Sequence, residues 1–281
     1  MRAPAQLSRI TLDDQPGSRR FHSFPPVGFL AFSEAQPGNG DSFGLYWPIG
    51  REQQEPLVAE AWHDDWLVQP TYSSLDRFLV ALDRGDEEHP EPLSLDEDPD
   101  SPRMCLEQAK TLVAANALEK GRELLERSVR LLPEYTDALT LLWSVYIRTK
   151  RADQAAEIAI RAVISPPCFG LRAFKPLRWL RSANVSDEHL EDPIWKRRKE
   201  LSLEFGGTKH NQNYPLMREA IDEYLAMARY ERAITLMQTY AEFMYSETTA
   251  FQERYGYDRD KFMAWQIEVS SKLPGGPRNV M

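Results

Sequence analysis

The sequence predicts an α+β protein, with a small antiparallel sheet unit first and an all-α stack of helical hairpins after it. Three observations carry that reading. Short strand-like runs fill the first third of the chain. An acidic, proline-rich stretch, "DEEHPEPLSLDEDPDSP", then interrupts it at residues 86–102. Beyond that stretch, helical runs close on Pro133 and Pro167, which stand 34 residues apart. The expected division is a sheet domain at 1–85, a linker at 86–102 and a helical domain at 103–281.

The strands come first. "GFLAF" (28–32) and "SFGLYW" (42–47) flank the turn-rich "SEAQPGNGD", as the two arms of a hairpin do. "PLVAEAWHDDW" (56–66) follows, with Leu57, Ala59 and Ala61 alternating against Val58, Glu60 and Trp62, the period of a strand. A helix then begins. Ser73 is the expected N-cap with Asp76 three residues on, Leu75, Phe78, Leu79 and Leu82 make an apolar stripe, and Gly85 stands where the helix ends. The next 17 residues carry eight acids and no base, so they read as a solvated, self-repelling linker.

After the linker everything reads as helix. With Pro102 as position 1 of a 34-residue unit, Cys105, Ala109, Leu112, Gly121, Leu125, Ser128 and Pro133 occupy positions 4, 8, 11, 20, 24, 27 and 32. A second unit begun at Thr136 puts Leu139, Trp143, Tyr146, Ala155, Ala159, Ala162 and Pro167 at the same positions. This pattern resembles the tetratricopeptide repeat, a pair of antiparallel helices whose small positions lie where the backbones approach most closely. Trp143 departs from it, and the alanines opposite (Ala152, Ala155, Ala156, Ala159, Ala162) are expected to make room for its indole. Two units leave their ends uncovered, so further helices should stack on them. Residues 216–243 read as a third, degenerate hairpin through Ala220, Tyr224, Ala233, Met237 and Tyr240. "DPIWKRRKELSLEFGG" has Asp192 as N-cap, Pro193 at the first helical position and Gly206–Gly207 as its stop, and a last helix is expected over 258–273.

Charge and composition narrow the function. The net charge is −9, with 11 acids and 7 bases in residues 1–85 but 24 acids and 27 bases in 103–281. No basic face follows from that balance, which argues against a general nucleic-acid binder. "WKRRK" (195–199), with Lys175, Arg178 and Arg181 near it, is a basic patch read as a solvated face. Two cysteines are too few for a disulfide framework, and Cys105 occupies a packed repeat position. The first 20 residues contain no apolar run of secretory length, and no stretch reaches the length of a membrane span. A cytoplasmic setting is the simplest expectation. "WHDDW" (62–66) is the most reactive-looking stretch, but His63, Asp64 and Asp65 lack a second ligand cluster and read as a charged turn between aromatic anchors. His89, His189 and His210 read as solvated. "GNGD" lacks the lysine and the following helix of a phosphate loop. Neither a catalytic constellation nor a cofactor or metal is expected.

The first third, "FLAFSEAQPGNGDSFGLYW" with "PLVAEAWHDDW" and "SSLDRFL", resembles the back half of a Smi/Knr-like domain of the SUKH superfamily. The resemblance covers residues 26–83, and the two helices that open the family's fold have no counterpart in residues 1–25. It implies a non-enzymatic role, because many bacterial members resemble immunity proteins that bind and block a cognate toxin. Nucleases are common among such toxins, and their basic clefts suit an acidic partner. The expected interface is Trp47, Trp62, Asp64, Asp65 and Trp66 in the sheet domain. Positions of the helical repeats that usually line a concave surface add Arg103, Lys110, Asp137, Thr140, Ser144 and Arg148, with Leu106 and Val113 among them. The alternative reading is a tetratricopeptide adaptor or chaperone for a secretion-system substrate, equally non-enzymatic.

Overall fold

The computed structural model describes residues 1–4, 6–12, 23–33, 40–85, 90–186, 189–206 and 210–278. His89 and the first four residues of the acidic stretch lie outside these, as do most of the turn between the first two strands and Gly207. The fold is α+β: a four-stranded antiparallel sheet comes first and a series of helices follows.

β1 (Phe29–Ala31), β2 (Ser42–Tyr46), β3 (Leu57–Trp62) and β4 (Leu67–Tyr72) form a meander in the order β1-β2-β3-β4. β4 is a strand the sequence reading did not anticipate, since "LVQPTY" carries Pro70 and proline removes a ladder donor. The sheet accommodates it on an edge strand and at a bulge. Val58 pairs with Tyr72 and Glu60 with Gln69, so Pro70 and Thr71 together face Ala59.

Helix α1 (Leu75–Leu82) packs over β3 and β4. Its cap is Ser74, whose side chain accepts from the Arg77 amide, and not Ser73. The Ser73 amide is taken instead by Asp98 at 2.9 Å. The helix ends on Asp83 rather than at Gly85. Phe78 is fully buried at the centre, with the rings of Phe32, Phe43 and Tyr72 at 5.3, 5.2 and 5.4 Å. Leu45, Trp47, Val58, Leu75 and Leu79 complete this core.

The acidic stretch is not a free linker from Pro90 onward. Leu93 joins the core, and the Tyr72 hydroxyl donates to the Pro90 carbonyl at 2.7 Å. Ser101 donates to the Thr71 carbonyl at 2.7 Å and also caps the next helix. Its negative charge is partly matched locally, because Arg84 pairs with Glu97 and Arg127 with Asp100. Average composition concealed these few anchoring residues.

Helices α2 (Pro102–Ala114) and α3 (Leu118–Leu131) form the first hairpin. Their small positions lie where expected. A Cβ on Gly121 would come within 2.7 Å of Val113 Cγ2, Ala109 is fully buried, and Ser128 donates to the Pro102 carbonyl at 2.9 Å. Helix α2 also packs on β4. The compact units therefore do not divide at residue 102. The first unit runs over Met1–Pro133 and takes back Ser271–Met281, and the second covers Glu134–Ser270.

In the second unit, α4 (Thr136–Arg148) and α5 (Ala152–Ile164) form a hairpin across fully buried Ala155, Ala156 and Ala159. Trp143 is only half-buried and meets Trp179 edge-on at 6.3 Å, so the indole is accommodated by α6 (Phe174–Leu180), a helix the sequence reading did not list. The helix capped by Asp192 is short, α7 (Pro193–Arg197), and the chain is irregular from there to Gly206. α8 (Asn213–Ala226) and α9 (Tyr230–Tyr245) make the third hairpin, with Ala220, Tyr224, Ala233 and Met237 fully buried. α10 (Thr249–Arg254) precedes α11 (Arg259–Ser270), which packs on α9.

Candidate functional site

The β3–β4 hairpin closes through His63, Asp64, Asp65 and Trp66, and Trp66 takes a left-handed φ of 56° to bring the chain back into β4. Asp41, just before β2, fixes this turn. One of its carboxylate oxygens accepts from the His63 amide at 2.9 Å and meets the His63 Nδ1 at 2.9 Å. Gly40 stands against the imidazole, where a Cβ would lie 2.9 Å from Cε1. Asp64 reaches Nε2 at 3.0 Å. The hydrogen bond the ring donates to Asp41, with the Asp64 charge nearby, raises the imidazole pKa above its ordinary value of 6.5.

What the tip presents is carboxylate and indole. The Asp64 side chain is 89% exposed, Asp65 is exposed, and Trp62 and Trp66 are half-buried on either side. Trp66 also rests on Phe24 at 5.5 Å. Four of the five expected sheet residues thus come together on one rigid turn.

Trp47 does not join them. It is fully buried, its Nε1 donates to the Arg2 carbonyl at 3.0 Å, and it belongs to the core. Every residue of β2 is buried, so the alternation that would have sorted its side chains is missing.

The expected helical residues are placed less favourably. Leu106 and Val113 are buried in the first hairpin. Arg103 donates to Thr71 at 3.4 Å, and Lys110 pairs with Glu107 at 2.8 Å. In the second unit Asp137 accepts from the Leu171 amide at 2.8 Å, and a Cβ on Gly170 would press within 2.3 Å of it. Asp137 shapes that loop. Thr140 and Ser144 are half-buried, and Arg148 is exposed.

The second unit also has an open cleft of ≈ 520 Å³ lined by Tyr146, Asp153, Glu157, His189, Asp192, Arg229 and Arg232. Asp192 is its buried floor. It caps Ile194, accepts from the Tyr224 hydroxyl at 2.9 Å, and binds Arg232 at 2.5 Å and Arg229 at 3.4 Å. Arg232 turns its other nitrogen to both Glu157 oxygens at 2.7 and 2.8 Å. These charges neutralise one another, which makes the cleft a structural network. His189 is buried beside it, contrary to the expectation of a solvated ring. Sequence reasoning had Asp192 only as a cap, since its guanidinium partners lie 37 and 40 residues away.

Two cations of the basic patch are paired with acids. Lys196 pairs with Glu191 at 3.1 Å, Arg197 with Glu223 at 2.5 Å, and Arg198 lies 3.9 Å over the Trp195 ring. Both cysteines are buried thiols. Burial pushes Cys105 up to about 11 and Cys168 well above its ordinary value, so neither is poised as a thiolate nucleophile. Among the described residues no three His, Cys, Asp or Glu side chains form a metal-holding group, and no helix is long and apolar enough to cross a membrane.

Beside Cys168 lies Glu242, whose carboxylate accepts from the Cys168 amide at 3.0 Å and from Gln238 at 2.9 Å. Burial outweighs these donors and pushes its pKa up from 4.5 to about 7. The folded protein then holds a proton that the unfolded chain has released between those two values. Stability from this group is full below pH 4.5 and is lost as pH rises to about 7. Urea titrations across that window should show a decline of about 2–3 kcal/mol that Glu242→Gln abolishes. An equal decline in the variant would assign the proton elsewhere.

Comparison with known proteins gives three matches. Residues 13–91 match a family model described as the YfbP N-terminal domain, and residues 204–275 match one described as the YfbP C-terminal domain. The chain is 39% identical over 244 residues to a protein of Escherichia coli (strain K12) called "Uncharacterized protein YfbP", a match that spans 86% of each chain.

Proposed function

We propose that this chain, which belongs to the YfbP family, is a non-catalytic protein-binding molecule that neutralises a cognate antibacterial toxin in the cytoplasm, as an immunity protein does. The observation that carries the reading is the β3–β4 tip. Two exposed carboxylates stand between two half-exposed indoles on a turn held rigid by Asp41 and His63. Aromatic side chains on a preformed turn lose little freedom on docking, and paired charges steer a basic partner toward them. A nuclease toxin, with a basic substrate cleft, has the complementary chemistry. The resemblance of residues 26–83 to Smi/Knr-like domains supports the same class. The adaptor alternative draws less support, because Arg103 and Asp137 are half-buried and engaged with Thr71 and Leu171, while Lys110 is held in a surface pair with Glu107.

The test is co-expression with the product of the neighbouring gene, followed by binding measured at low salt. The chain should rescue cells from that product and bind it directly. Reversing the tip charges with Asp64→Lys and Asp65→Lys should weaken binding by about 100-fold, with the effect shrinking as salt rises and the thermal midpoint unchanged. A non-toxic neighbour, or no rescue, would remove the immunity reading. Rescue with unchanged affinity in the double variant would move the interface off the tip.

A further inference from the structure

Among the described residues Arg278 is the largest charged side chain that is completely buried, and sequence reasoning gave it no role. It belongs to the first compact unit, which segment 271–278 enters after the chain has already passed through the whole of the second. Its guanidinium meets a set of acceptors that match its planar fork. Nε and Nη2 donate to the Val27 carbonyl at 3.0 and 2.7 Å, and Nη2 donates to the Trp47 carbonyl at 2.6 Å. Nη1 donates to Glu52, which is equally buried.

The surroundings are shaped for that group. Gly28, at φ +101°, has no side chain, and a Cβ there would fall 2.2 Å from Nη2. The Tyr46 ring lies 5.7 Å from the guanidinium carbon. Glu52 also accepts from the Gly50 amide at 3.1 Å, which aims its carboxylate inward. The approach of the segment is equally close, since a Cβ on Gly275 would meet Gln53 at 2.7 Å.

We infer that residues 27–28, 46–47 and 50–52 build a guanidinium-recognition socket and that segment 271–278 is its ligand in cis, a strap that the sheet unit binds as it would bind an arginine peptide. A buried carboxylate with no cation beside it is costly, so the socket is strongly biased toward being filled. A lysine cannot replace the occupant, because a point ammonium cannot span acceptors arranged for a fork. The binding is local to the sheet unit and makes no use of the tip, so it stands or falls separately from the toxin reading.

The experiment uses the full chain with a specific protease site inserted between exposed Ser271 and Lys272. After folding and cutting, native mass spectrometry follows the fragment that begins at Lys272. The cut wild-type chain should retain it, and its tryptophan emission should match that of the uncut chain. Fragments carrying Arg278→Lys or Arg278→Ala should leave at least about tenfold faster. A synthetic peptide of residues 272–281 should displace the labelled fragment, and the Arg278→Ala peptide should fail to do so. Where the alanine chain fails to fold, this peptide competition on the wild-type chain decides the matter. Immediate loss of the wild-type fragment, equal retention of the variants, or equal competition by the alanine peptide would overturn the inference.

Discussion

Asp192→Ala should destabilise the second compact unit by about 3–5 kcal/mol, among the largest single-residue effects in the molecule. Four interactions end on this carboxylate, whose side chain is 3% exposed: the cap on Ile194, the Tyr224 hydroxyl and the two guanidiniums of Arg229 and Arg232. Removing it leaves Arg232 with Glu157 alone and strands a buried hydroxyl on Tyr224. A buried hydroxyl that has lost its acceptor and a guanidinium left with one of its two carboxylates cost more than the pair contributed. Urea unfolding followed by the emission of Trp195, which stands three residues on, should report the loss directly. Asp192→Asn is the informative control, since the amide oxygen can still cap the helix while the charge is gone. Its cost should fall between wild type and alanine. A double variant with Arg232→Met should recover part of the alanine loss, because both members of the pair are then absent. Additive costs would show that the pair is not coupled and that the cap, the Tyr224 hydroxyl and Arg229 account for the effect.

How much of this was visible beforehand follows from how far apart interacting residues lie. The hairpins were legible because their signals are local. Prolines close the helices near Pro133 and Pro167, and the small residues that let α2 and α3 approach recur at fixed spacing. The charged tip was legible for the same reason, as His63–Trp66 is a contiguous turn. Strand β4 was not, because Pro70 argues against a strand unless a bulge on an edge absorbs it, and bulges have no sequence signature. The acidic stretch misled through its average: its eight carboxylates read as solvated charge, yet one of them, Asp98, joins Leu93 and Ser101 in tying it to the sheet unit. Trp47 and Arg278 show the limit most clearly. Arg278 reaches the Trp47 carbonyl across 231 residues, and the Trp47 indole donates to the Arg2 carbonyl 45 residues away, so nothing local distinguishes the buried indole from those at the tip.

Phe78→Ala should cost the first unit about 3–5 kcal/mol and should remove its cooperative transition while leaving that of the second unit in place. The ring sits where the sheet face and α1 meet, in contact with Phe32 from the end of β1, Phe43 from β2 and Tyr72 from β4. Three strands therefore lose an aromatic neighbour at once, and the edge-on contact with Tyr72 is lost along with the buried area. The surrounding rings cannot collapse into the space. Tyr72 is tethered through its hydroxyl to Pro90, and Phe32 is held by its amide to the Phe43 carbonyl at 2.8 Å. Phe78→Leu keeps most of the volume and should cost less than half as much. Hydrogen exchange read on proteolytic peptides resolves the outcome, because peptides of Met1–Pro133 and of Glu134–Ser270 give separate signals. Loss of the first set of signals with retention of the second would place the centre of the sheet unit's core at Phe78. If both transitions stay intact in the alanine variant, the core of that unit is held elsewhere.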